Sequence, residues 1–161
     1  MRHVLFLCGS NTCRSPIART VLEQMLAERE LQNLMAVDSA AINTSPPIST
    51  SEGAKKAITG TYGSDLLAQH PPKPVSDELL AAADVILTME QEQTKGMPAG
   101  RTFTLREYAG SSGDIDDPAF SQDYENCIRD IRSCIEAALP RLLADLKPAG
   151  EPQPPDADLA S

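Results

Sequence analysis

The strongest constraint on the fold is an alternation. Four short apolar runs, at residues 3–7, 34–41, 84–89 and 102–105, are separated by longer segments with helical spacing or turn chemistry. No separation is as short as a two-residue hairpin, and strands joined through helical crossovers pair in parallel. The economical solution over residues 1–147 is an α/β fold. It is a single three-layer domain with a four-stranded parallel sheet flanked by helices.

The first run passes through a short loop into a helix. Ile17, Val21 and Met25, with Ala18, Leu22 and Leu26 beside them, line one helical face. Ser15 and Pro16 read as the N-cap and first residue of that helix. Residues 51–58 predict a short helix ended by Gly60 and Gly63, and Ser76 caps another. Residues 90–97 predict a helical turn or two, and residues 109–120 a loop rich in Gly and Asp. The last helix carries Tyr124, Cys127, Ile128, Ile131, Cys134, Ile135, Ala138 and Leu142 on one side. Pro140 should kink or split it. Residues 148–161 hold four prolines and three acidic residues with no apolar set to bury, which predicts a disordered tail.

Charge narrows the range of functions. The chain of 161 residues carries a net −9, and the last 55 residues supply most of it, with four basic against twelve acidic side chains. There is no basic stripe for nucleic acid, and no apolar run long enough to cross a bilayer. No run resembles a signal peptide, which predicts a cytoplasmic protein. Cys8, Cys13, Cys127 and Cys134 match neither zinc-knuckle nor C-x-x-C spacing, so no metal and no cofactor is expected.

Ligands of open parallel sheets bind beyond the carboxyl ends of the strands. The segment "VLFLCGSNTCRSPIA" (residues 4–18) lies at such an end, directly before a helix N-terminus. Converging amides and a positive helix end suit a tetrahedral oxyanion. The Walker pattern and the G-x-G-x-x-G fingerprint are both absent. What the loop has is Cys8, five residues and then Arg14. A cysteine facing helix-end amides and a guanidinium should exist largely as thiolate. Arg14 can hold two phosphate oxygens bidentately, and Ser15 can donate a hydrogen bond to the sulfur. This is an arrangement for nucleophilic attack on phosphorus.

These residues resemble the low-molecular-weight protein tyrosine phosphatases, whose loop is C-x5-R-S followed by a helix. The resemblance spans about residues 3–147 and includes "VDSAA" (37–41), "DVILTM" (84–89) and "DDP" (116–118). It implies Cys8 as nucleophile, Arg14 as phosphate clamp and Asp117, before Pro118, as general acid, with Asp114 and Asp116 as rivals. Gly9, Ser10, Asn11, Thr12, Cys13 and Ser15 would complete the phosphate-binding loop. Asn11 would brace it, with Ser39 and His70 as its partners. Ser10 departs from the family, which usually has glycine there. Cys13 is either a small residue packed under the loop or a thiol that captures oxidised Cys8.

The resemblance implies phosphorylated protein side chains as substrates, for a monomer or weak dimer. Thr12, two before Arg14, matches the bacterial protein arginine phosphatase branch, where tyrosine-specific members commonly carry an isoleucine-like residue. The loop at 42–47 has no aromatic residue, and residues 118–120 lack paired tyrosines. Phosphoarginine therefore stands ahead of phosphotyrosine. Arsenate reduction, the third reading, would need Cys127 and Cys134 as a redox relay. Their spacing is two helical turns on an apolar stripe, which favours core packing.

Overall fold

The computed structural model describes residues 1–68 and 70–145. Four strands, β1 (Arg2–Cys8), β2 (Met35–Ala41), β3 (Val85–Thr88) and β4 (Thr102–Thr104), form one sheet. Their order is β2-β1-β3-β4 and every pairing is parallel, as the alternation requires. The register sets Val4 against both Val37 and Val85, so β1 is buried between two neighbours.

Period-two alternation along β1 divides the core. Val4, Phe6 and Cys8 face the larger cluster, and Leu5 and Leu7 face the smaller. The larger cluster is closed by α1 (Arg14–Glu28), α2 (Glu52–Tyr62) and α6 (Tyr124–Asp145). The smaller is covered by Leu79 and Leu80 of α3 (Asp77–Ala82). This is the three-layer arrangement, with the thicker layer on the α1–α6 side.

Several local expectations are corrected. The first helix begins at Arg14, one residue before the expected cap, and Cys13 takes the N-cap position without a side-chain hydrogen bond. Ser15 cannot cap because its hydroxyl is engaged with Cys8 and Asn11. Gly60 does not end α2, which runs on to Tyr62; Gly63, at φ 84°, provides the left-handed cap. Pro140 lies inside α6 without splitting it. It is exposed, so water can reach the carbonyl that its missing N–H leaves unpaired.

Two short helices fall in regions read as strand end or loop. These are α4 (Leu105–Tyr108), started by a Thr104–Glu107 capping box, and α5 (Pro118–Ser121), capped by Asp117. A 3₁₀ turn occupies Gln91–Thr94. The proline-rich stretch 148–161 lies outside the described residues. Among the described residues no helix is long and apolar enough to cross a membrane, and no group of three acidic, His or Cys side chains is placed to hold a metal.

Candidate active site

The loop between β1 and α1 is held from three sides by its own polar groups. Asn11 sits at φ 56°, in the left-handed region that asparagine tolerates. Its side-chain amide donates to Ser15 Oγ at 2.8 Å and to Ser39 Oγ at 3.0 Å. Its Oδ1 accepts the backbone N–H of Lys73 at 3.2 Å. Ser51 N donates to the carbonyl of Thr12 at 2.9 Å, which ties the loop to the start of α2. Asn11, Ser15 and Ser39 are buried, and among the described residues no buried side-chain polar atom lacks a partner.

Cys8 Sγ lies 2.9 Å from Ser15 Oγ. Because Ser15 Oγ already accepts from Asn11, its own proton is free to point at the sulfur. Ser10 Oγ and Thr12 Oγ1 are 2.8 Å apart, so the serine standing in the glycine position orients the threonine hydroxyl. Gly9 leaves open space where a Cβ would project. The pocket, about 490 Å³, is lined by Cys8 and the loop, by Arg14 and Asp117, and by Ile42 and Tyr124.

Arg14 is buried and held on its outer side. Its Nη1 donates to the Ile115 carbonyl and its Nη2 to Glu90 Oε2, both at 2.7 Å. Asp117 Oδ2 stands 3.5 Å from Nη2. Burial alone would loosen the proton on Arg14. The hydrogen bond to Glu90 and the charges of Cys8 and Asp117 outweigh it, and its pKa is raised. The guanidinium has five donors in a fixed fork, so these contacts leave donors for a phosphate.

The three candidate acids separate by position. Asp114 Oδ1 accepts Gln91 N–H at 2.8 Å, and Asp116 lines a different cavity with Cys127 and Asp130. Asp117 lines the same pocket as Cys8 and is about a third exposed. Its Oδ1 accepts Ala119 N–H at 3.0 Å as the cap of α5, which leaves Oδ2 toward the pocket.

Ser39 meets Asn11 as expected, and His70 does not. His70 lines a separate cavity with Thr20 and Glu23. Pro71 and Pro72 have no N–H, so Lys73 supplies the first backbone donor after His70 and gives it to Asn11 Oδ1 instead. Burial first, and then Arg19, push the His70 pKa down. Cys13 is buried, and interaction with the Cys127 thiol, then desolvation, push its pKa up, so it is held as a thiol. Cys127 and Cys134 are both free, buried and on the core side of α6, as their spacing predicts.

Glu90 and Tyr124 were not legible as site residues. Glu90 follows the carboxyl end of β3, so the strand-end rule that located Cys8 also applies to it. Tyr124 opens α6 and gives the pocket an aromatic wall that the 42–47 loop lacks. Gly53 of α2 makes room for that ring, because a Cβ built there would collide with Cε2, Cδ2 and Cζ of Tyr124. Gly53→Ala is expected to destabilise the protein by about 1–3 kcal/mol through overpacking. The check is urea denaturation, and an unchanged midpoint would show that the ring swings aside freely.

The family model described as low molecular weight phosphotyrosine protein phosphatase matches residues 3–151. A protein-arginine-phosphatase of Bacillus subtilis (strain 168) is 33% identical over 122 residues, covering 71% of this chain and 78% of its own. Low molecular weight protein-tyrosine phosphatase A of Mycobacterium bovis is 29% identical over 151 residues, covering 87% of this chain and 88% of its own. Among solved structures, an arginine phosphatase mutant with a phosphorylated active site serine aligns with a TM-score of 0.77 at 26% identity. That alignment covers 87% of this chain and 95% of the other.

Proposed function

The chain belongs to the low molecular weight phosphotyrosine protein phosphatase family, and from that premise we propose that it removes phosphate from phosphoarginine side chains of proteins. The carrying observation is the meeting of three groups at one pocket. Cys8 Sγ is backed by Ser15 Oγ at 2.9 Å, and Arg14 and Asp117 line the same space. In the first step the thiolate of Cys8 attacks phosphorus and the P–N bond breaks. Arg14 and the loop amides hold the three phosphoryl oxygens, and Asp117 gives its proton to the departing guanidine nitrogen. In the second, Asp117 as carboxylate takes a proton from water, and the water oxygen attacks the phosphocysteine. The S–P bond breaks, and phosphate leaves as the thiolate is restored. Ser15 supports both steps by donating to the sulfur.

Thr12 supports the choice of substrate. Its hydroxyl, oriented by Ser10 at 2.8 Å, offers the pocket a polar contact suited to a guanidinium. The relative named for arginine dephosphorylation, at 33% identity, agrees with this. Phosphotyrosine is the second reading, favoured by the Tyr124 ring on the pocket wall and by the tyrosine phosphatase relative that covers 87% of the chain. The discriminating experiment compares kcat/KM for matched phosphoarginine and phosphotyrosine peptides in the wild type and in Thr12→Ile. The wild type should favour phosphoarginine, and Thr12→Ile should move the ratio toward phosphotyrosine by about tenfold, the worth of one misplaced polar contact. An unchanged ratio sinks the role given to Thr12. The four free cysteines fit a reducing compartment, and we place the protein in the cytoplasm.

A further inference from the structure

Among the described residues of this acidic chain, the Lys and Arg side chains without an ion pair or hydrogen bond are gathered in one place. Thirteen of its 14 Lys and Arg side chains are among the described residues, all but Lys147. Ten of the thirteen hold an ion pair or a hydrogen bond, including Arg29 on the Met25 carbonyl and Arg101 on the Leu80 carbonyl. The remaining three, Lys56, Arg129 and Arg132, have neither among the described residues, and all three line the same cavity. It is about 290 Å³ and lies between α2 and α6. With a net charge of −9 there is no shortage of carboxylates to pair with them. Only one acidic side chain, Glu125, lines that cavity.

The cavity is linked to the active site through a neighbouring cavity that shares lining residues with both. A second cavity of about 470 Å³ shares Lys56, Ala57 and Glu125 with it, and shares Tyr124 with the catalytic pocket. Side by side, the three cavities mark out a trough-like path from Cys8, past the Tyr124 ring, to the three cations. Tyr124 and Arg132 are eight residues apart on α6, about 12 Å at the helical rise of ~1.5 Å per residue. An extended peptide covers that length in about four residues, at ~3.3 Å each.

We propose that this trough docks an acidic stretch of the phosphorylated protein. Lys56, Arg129 and Arg132 would receive an Asp or Glu about four residues from the phosphorylated side chain. The inference rests on the phosphatase reading and adds to it a preference for sequence context. Cations at an open trough attract a carboxylate by a modest amount each, and salt weakens the attraction. Glu125, and Asp123 in the connecting cavity, oppose the docking and limit it.

The test uses matched phosphopeptides with Glu or Gln three and four residues to either side of the phosphorylated residue. They are made in both phosphoarginine and phosphotyrosine forms. The wild type should process the Glu peptides with a kcat/KM about tenfold higher than the Gln peptides, the summed worth of three exposed pairs. The advantage should shrink toward unity in about 0.5 M salt. Lys56→Gln, Arg129→Gln and Arg132→Gln combined should erase it, leaving turnover of p-nitrophenyl phosphate unchanged. Glu125→Gln should widen it by about twofold. Equal efficiency for Glu and Gln peptides in the wild type overturns the proposal, as does an advantage that survives the triple substitution. Failure of the substrate reading looks different: the phosphotyrosine series is then preferred, with the Glu effect still readable within it.

Discussion

Cys8→Ser is expected to lower turnover of p-nitrophenyl phosphate by at least about 10⁴-fold, the scale of losing a nucleophile that works as a unit with its neighbours. A serine hydroxyl does not ionise near neutral pH, and as the leaving group of the second step it is far poorer than a thiolate. The protein around it should be unchanged. Asn11, Ser15 and Ser39 bond to one another without the sulfur, and the carbonyl of Cys8 still accepts Ile42 N–H. Steady-state kinetics beside a thermal melt separates the two effects. Turnover that survives the substitution with a normal melt removes Cys8 from the chemistry.

The second large effect is expected at Asp117, and it depends on what is leaving. Asp117→Asn should cost about 10²–10⁴-fold with a phosphoarginine peptide, whose departing nitrogen needs a proton. With p-nitrophenyl phosphate, whose phenolate leaves unaided, the loss in the first step should be much smaller. Asparagine is as good a helix cap as aspartate, so the contact with Ala119 N–H and the start of α5 are retained. Phosphoenzyme formation under single-turnover conditions reads the first step for each substrate. Equal losses would mean that Asp117 shapes the loop, and would return the acid role to Asp114 or Asp116.

What could be read in the sequence was what is local. Cys8, Asn11, Arg14 and Ser15 belong to one strand–loop–helix unit, so spacing alone brings them together. The sheet followed from the alternation of apolar runs, because a chain of this pattern can bury its strands only in parallel. Contacts set by the path of a distant loop were harder. His70 was expected against Asn11, and two prolines hand that contact to the backbone of Lys73. Glu90 reaches Arg14 across 76 positions, and nothing in its surroundings as a sequence marks it as more than an acid after a strand. Tyr124 packs against the core from the apolar side of α6, and its ring also walls the pocket, which helical spacing does not show. The helix α4 has only four residues, fewer than any periodicity can report. Of the two glycines expected to end α2, Gly63 does so in the left-handed cap, while Gly60 stays inside the helix despite its intrinsic cost there.

One consequence follows from where β1 lies. It is an interior strand, paired along its length with β2 and for four residues with β3, and it delivers Cys8 at its end. Interior strands exchange their amide hydrogens only in the most complete openings of a protein, while edges and surface loops open at little cost. The reactive sulfur is therefore attached to the part of the molecule that lets go last, and Arg14 and Asn11 are sealed in beside it. Fraying at β4 leaves that seat intact, whereas opening of the 109–120 loop removes Asp117 and the Ile115 carbonyl that holds Arg14. The nucleophile therefore persists for as long as the fold does, while the proton donor Asp117, carried on a largely exposed loop, can be lost and regained by local opening alone.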